Sequence, residues 1–342
     1  MSNHMRITRR RFGQGMTGAA VLAAGITPNW AHAETATLDD WKQIAALSDE
    51  ARKLGIDVPQ VSVPQTASPK FEEIVRVIVD FIDEMEEPGV ANGTNAAAAA
   101  SLKKRAQTLL NTVNGRERSQ HHKSELRTPG LFSIAGLIGS AHAETVDPSK
   151  RYDQYKAGYL ELFDSCKVRP ERQATVDWYV SKLTNAKYRA AYETLEDAVC
   201  VPWYFIGVIH ALEASFNFDA HLHNGDPLSR RTTHVPANRP PVWQPPSDWQ
   251  SSAKDALALE KFTDHTDWNL ARMLYRIEAY NGFRSRELHN THSPYLWSFS
   301  NHYTSGKFVA DNQWSGSVVS QQCGAAVMIK ALVDKKIIQL IV

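Results

Sequence analysis

Residues 201–241, VPWYFIGVIHALEASFNFDAHLHNGDPLSRRTTHVPANRPP, constrain this chain more than any other stretch. Pro202 suits the first turn of a helix, where its missing N–H has no intrahelical partner to lose. Trp203, Tyr204, Phe205, Ile206, Val208, Ile209, Ala211 and Leu212 follow. A helix that is apolar nearly all round has to be buried. Gly207, His210, Glu213 and Asn217 break the pattern at helical spacing and form one narrow stripe. Glu213 falls near the C-terminal end, where backbone carbonyls concentrate negative partial charge. Desolvation and that dipole both disfavour the carboxylate, so the sequence predicts a carboxyl that holds its proton near neutral pH. A general acid for glycosidic cleavage needs this property. A buried glutamate tied to a neighbouring Arg or Tyr is the plainer alternative.

A polar turn follows the helix. Asn224-Gly225 signals a tight hairpin, and Asp219, His221, His223, Asp226, Arg230, Arg231, Thr232, Thr233 and His234 crowd around it. Folded back over the helix end, the hairpin would set Asp226 across a groove from Glu213. An acid facing a carboxylate that holds water is the inverting glycosidase arrangement.

The order Glu213, then a hairpin carrying Asp226 and Thr232, resembles lysozyme-superfamily muramidases of the phage and goose types. Glu278-Ala279-Tyr280-Asn281-Gly282 is similar to the AYNGG-like segment of lytic transglycosylases, in which the tyrosine lies under the catalytic glutamate. Residues 152–332, with IHALE, HLHNGDPL and SPYLWS, look like a bacterial lysozyme-family domain. Two features depart from that pattern. Ala214 stands where many transglycosylases have Ser, and their Gly-Leu-Met/Gln segment is absent. The resemblance implies a mainly α (α+β) fold: a lysozyme-like helical domain with a small β-hairpin flanking the cleft, after a helical or irregular N-terminal region.

The N-terminus carries its own pattern. Thr8-Arg9-Arg10-Arg11-Phe12 matches a twin-arginine motif, residues 16–26 are apolar, and Ala31-His32-Ala33 is an A-x-A cleavage signal. The expected organisation is a signal peptide over 1–33, a helical or irregular region over 34–150, and a catalytic domain over 151–342. The implied setting is bacterial, periplasmic or secreted, with the Tat export machinery as a partner. No later apolar run is long enough to span a bilayer. A formal net charge of +1 on 342 residues argues against nucleic acid or a membrane surface as partner. Of Cys166, Cys200 and Cys323, two could pair in an oxidising compartment. Cys200 reads as a small buried residue before a helix.

Several helices are legible. Ile74, Ile78, Phe81 and Met85 mark one over 71–85, stopped by Pro88 and Gly89, and residues 96–110 read as a second. Residues 116–129 read as polar and mobile, and residues 131–139 as a short apolar segment. Tyr159, Leu160 and Phe163 mark another helix, as do Val176, Tyr179, Val180 and Leu183. Residues 188–195 continue the helical reading. Prolines 236, 240, 241, 245 and 246 enforce an extended path past Trp243. Ser247 with Gln250, and later Thr266, are candidate helix caps, Gly282 is a candidate stop, and residues 318–332 read as a final helix.

Sugars bind by stacking on aromatics and by hydrogen bonds to polar side chains. His210, His223, Trp243, Tyr280, Asn281, Tyr295, Trp297 and Tyr303 are the candidate substrate-binding set, with Ser293 and Asn301 as further donors. The expected reaction cleaves the β-1,4 bond between N-acetylmuramic acid and N-acetylglucosamine in peptidoglycan glycan strands, with no cofactor and no metal. Glu213 protonates the leaving oxygen, Asp226 with Thr232 positions water, and Tyr280 fixes the Glu213 rotamer. A lytic transglycosylase using Glu213 alone is the alternative. Two other classes remain: a zinc amidase or peptidase built on His221, His223, Asp226 and His234, and a non-catalytic wall-binding module.

Overall fold

The computed structural model describes residues 36–65, 70–122, 148–234, 236–244, 248–310 and 313–341. The twin-arginine segment, residues 131–139 and Pro245, Pro246 and Ser247 lie outside these. The described residues form thirteen α-helices and one two-stranded antiparallel sheet, so the chain is mainly helical. The described residues cluster as one unit.

The first four helices are α1 (Leu38–Lys53), α2 (Phe71–Glu86), the short α3 (Pro88–Ala91) and α4 (Ala96–His122). A capping box starts α1: the Thr37 hydroxyl accepts from the Asp40 amide, and the Asp40 carboxylate accepts from the Thr37 amide at 2.7 Å. The predicted stripe of α2 is buried through Ile74, Ile78, Phe81 and Met85, and α4 packs along it with Leu102, Ala106, Leu109, Leu110 and Val113. Instead of ending near residue 110 and giving way to a mobile stretch from 116, α4 runs on to His122, and residues 123–129 lie outside the described ones. Arg116 pairs there with the buried Asp40.

Next come α5 (Pro148–Asp164), α6 (Gln173–Leu183), α7 (Ala186–Val199) and α8 (Trp203–Ala214). The expected apolar helix is α8, and it is buried continuously from Phe205 to Leu212. Gly207 lets it approach α6 and α7. A Cβ there would come within 2.7 Å of Leu183 and 3.0 Å of Tyr192. Cys200 closes α7 in a left-handed conformation (φ 58°) and is exposed, against the expectation of a buried residue. Cys166 and Cys323 are buried, and all three thiols are free.

An acidic edge of α2 locks the first helices onto this group. Lys182 on α6 bonds Asp80 at 2.7 Å and also pairs with Asp83, which accepts from the Tyr188 hydroxyl at 2.7 Å. Trp178 donates to Asp80, and Arg172 pairs with the buried Glu72. Burial alone would lower the Lys182 pKa, but the two aspartates outweigh it and raise it. Helices on both sides of residue 150 contribute to one hydrophobic cluster.

The remaining elements are α9 (Trp249–Leu259), α10 (Leu270–Asn281), α11 (Arg284–His289), α12 (Pro294–Trp297), β1 (Lys307–Ala310), β2 (Gln313–Ser315) and α13 (Ala325–Asp334). Gly282 ends α10 as expected. The caps differ from the sequence reading. Asp248 and Asn269 are the N-caps and accept from the amides of Ser251 and Arg272, so Thr266 is not the cap of α10. α13 begins at Ala325, later than expected. The strand pair also lies elsewhere. The ladder pairs Lys307 with Ser315 and Phe308 with Trp314, whereas residues 219–234 contain a single bridge, Ala220 with Pro227. No single helix among the described residues is long and apolar enough to cross a membrane.

Replacing Lys182 with Met removes the cation and leaves two carboxylates facing each other. Asp80 is half exposed, so solvent screens part of the effect. A loss of roughly 1.5–3 kcal/mol is expected from urea titration. An unchanged midpoint would show that the α2–α6 seam does not hold these helices together.

Candidate functional site

The end of α8 is where sequence-distant elements meet. Glu213, half-buried, is the penultimate residue of the helix. Its Oε1 accepts a 2.8 Å hydrogen bond from the Tyr295 hydroxyl on α12. The preceding carbonyl, of Leu212, accepts from Gln322 Nε2 at 3.1 Å.

The chain then makes a tight left-handed turn. Ser215 (φ 50°) and Phe216 (φ 62°) are consecutive non-glycine residues at positive φ. Such a conformation costs roughly 1–2 kcal/mol per residue. The Ser215 and Phe216 amides fold back onto the carbonyls of Ala211 and His210. The Phe216 ring is buried among Trp178, Tyr179 and Tyr188 at 5.8, 5.9 and 5.8 Å. Burying a phenylalanine yields about 1.5–3 kcal/mol, enough to offset most of the strain. Helix α4 supplies the remaining partners. Ser215 Oγ donates to Asn114 Oδ1 at 2.9 Å, and Asn217 Nδ2 donates to Asn111 Oδ1 at 3.0 Å.

His210 belongs to the core. It is fully buried between Phe218 and Trp249, with ring centroids 4.7 and 4.8 Å away. A carbonyl only accepts, so Nε2 carries the proton toward Asn217 O at 3.1 Å, and Nδ1 accepts from Tyr192 at 2.9 Å. Burial drives its pKa down to about 3, and the Asn217 carbonyl opposes this only in part. A role in binding substrate is therefore corrected to a structural one.

The expected hairpin is a loop tied down by its own side chains. His221 N donates to Asp226 O, Gly225 N donates back to His221 O, and Gly225 has φ 67°. Asp226 is 3% exposed. Its carboxylate accepts from the Thr233 amide and hydroxyl and from the amide and Nδ1 of His234. Burial pushes its pKa up, but the His234 amide and ring and the Thr233 amide outweigh that and hold it below the ordinary aspartate range. Thr232, also buried, donates to Pro236 O and accepts from the Arg239 amide at 2.8 Å. Both residues staple the loop, and neither presents a group poised to hold water.

The histidines are separately committed. His221 bonds Arg230 O and Ser252 Oγ, while His223 Nε2 bonds Asp255 Oδ2 at 2.7 Å. Arg239 holds both oxygens of Asp255. Burial lowers the His223 pKa to about 4, against the pull of Asp255. His234 is taken by Asp226. Among the described residues no three His, Cys, Asp or Glu side chains converge on a point that would hold a metal, so the zinc set is not assembled.

The aromatic candidates divide. Tyr295 reaches Glu213, and Trp243 is half-buried with its indole N–H on Leu228 O. Tyr280 is buried and donates to the carbonyls of Leu222 and His223, so the hydroxyl seen on Glu213 is that of Tyr295. Asn281 is half-buried as the last residue of α10. Trp297 is completely buried, and Tyr303 is buried with its hydroxyl between Gly306 O and the Ser320 amide. Neither can stack on a sugar. Ser293 is buried, and Asn301 clips the 165–167 segment. Asn111, Asn114 and Gln322 are the neighbours of the α8 end that the sequence did not announce. They lie about a hundred residues away from it, and no local pattern marks them. A cavity of about 850 Å³ opens elsewhere, lined by Leu160, Phe163, Leu270, Val333, Ile338 and others, and no expected site residue lines it.

No family model, no curated protein and no solved structure matches this chain.

His210 and His223 both titrate below the ordinary histidine value of 6.5. A depressed pKa contributes stability that is fully present above 6.5 and is lost as pH falls toward the folded values. The melting temperature should be flat from pH 8 to about 6.5 and decline steadily to about pH 4. A flat profile down to pH 5 would show that these imidazoles do not need to be neutral in the fold.

Proposed function

We propose that this chain is an exported bacterial glycosidase of lysozyme-like architecture that cleaves peptidoglycan glycan strands at the muramyl β-1,4 bond. One observation carries the reading. A half-buried glutamate ends an apolar helix, with one carboxyl oxygen oriented by the Tyr295 hydroxyl on a turn anchored from three directions. Glu213 is the general acid that protonates the leaving oxygen.

The state of Asp226 favours the transglycosylase form of the reaction. Its carboxylate is buried and already accepts four hydrogen bonds, so it is poorly placed to activate water. Glu213 then acts twice. As acid it gives its proton to the glycosidic oxygen, which leaves with the bonding electron pair. As carboxylate it takes the proton of the muramyl C6 hydroxyl while that oxygen bonds to C1, closing an anhydro ring. No external water is consumed. Peptidoglycan strands and the Tat machinery are the partners in this reading, with the periplasm or the exterior as its location.

Purified peptidoglycan, digested and analysed by mass, should yield anhydro-muramyl ends rather than reducing ends. Glu213→Gln should lower the rate roughly 10²–10⁴-fold. Reducing ends that disappear in Asp226→Asn would restore the hydrolase with Asp226 as base. Full activity in Glu213→Gln would end both versions, and glycan binding without turnover would mark a wall-binding module.

A further inference from the structure

We propose that Asn114, supported by Asn111, is a positioning residue for Glu213, acting through Ser215 and Asn217, so that α4 is a working part of the site. This rests on Glu213 being the reacting group. The geometry is specific. Glu213 sits between two clamps: Gln322 on the carbonyl one residue before it, and Asn114 on the hydroxyl two residues after it. Asn111 fixes the far end of the same turn through Asn217. Asn217 also accepts from the Asp219 amide and from His210, so the turn is held on its inner side as well.

The clamp on Ser215 is not needed to close the turn. Backbone amides already return to Ala211 and His210, and the Phe216 ring is caged. What the Asn114 contact adds is direction. It ties the last turn of α8 to a helix that is itself immobilised by Leu109, Leu110 and Val113 in the core and by the Arg116–Asp40 pair. Asn114 is 4% exposed, so its hydrogen bond is shielded from competition by water. A small displacement of an acid from its reacting oxygen costs large factors in rate, whereas the same displacement costs little in stability.

Two variants separate positioning from folding. Ser215→Gly removes the hydroxyl at a left-handed position that glycine adopts without strain, and the relief offsets the lost hydrogen bond, so its melting temperature should stay close to that of the wild type. Its kcat on peptidoglycan should fall roughly tenfold or more with KM unchanged. Asn114→Ala should give the same kcat loss, and the double variant should be no worse than either, because both remove one contact. Turnover by Ser215→Gly within twofold of wild type would overturn the proposal, as would additive losses in the double variant. Should the wild type not turn over glycan, the function fails separately, and the positioning claim is decided by the ¹³C titration of the Glu213 carboxyl. Its curve should shift in both single variants, and an unshifted curve would overturn the proposal.

Discussion

A helix buried along most of its length creates a problem at its last turn, where carbonyls are left without intrahelical partners. Much of this structure solves that problem for α8. The chain turns back through two left-handed residues, and Phe216 enters an aromatic cage that compensates for the strain. Side chains then arrive from far along the chain, Gln322 to the Leu212 carbonyl and Asn114 and Asn111 to the turn itself, while His210 of α8 holds the Asn217 carbonyl. Glu213 lies in the middle of this construction. Its surroundings are therefore stiff for reasons that begin with the hydrophobicity of residues 203–212.

The same accounting of polar groups explains why residues 219–234 are not a regular hairpin. A ladder satisfies backbone amides with carbonyls of the opposite strand. Here the carboxylate of Asp226 takes the amides of Thr233 and His234, and Thr232 bridges Pro236 and Arg239. The loop is fastened to α9 through His221 on Ser252 and His223 on Asp255. Side chains that read as a catalytic or metal-binding group in sequence are thus consumed in holding an irregular segment. Glu278 follows the same logic. It is fully buried, yet Arg286 and Tyr159 bind it, so it is a pair within the core rather than a second acid.

Sequence patterns revealed the elements whose causes are local. The stripe of α2, the nearly all-round apolar character of α8 and the stop at Gly282 follow from spacing alone, and each is observed. Boundaries set by caps are less legible: Asp248 and Asn269 take the cap positions because their carboxylate and amide oxygens reach the amides of the first turn, and Thr266 does not cap. Roles set by long-range contact were not legible. Nothing near Asn114 announces Ser215, and nothing in Tyr280 and Tyr295 says which one bonds Glu213. Burial separated the aromatics in the same way, sending Trp297 and Tyr303 to the core and leaving Trp243 and Tyr295 partly open. Residue type gave the chemistry available, and only the packing showed where each group is placed.

In the proposed function, glycan engages the end of α8. Backbone and side-chain NMR shifts, followed while a peptidoglycan-derived tetrasaccharide is titrated into the full chain, test it most directly. Saturable changes centred on Glu213, Tyr295 and the 215–217 turn are expected. Changes confined to the cavity beside Leu160 and Ile338, or none that saturate, would contradict it.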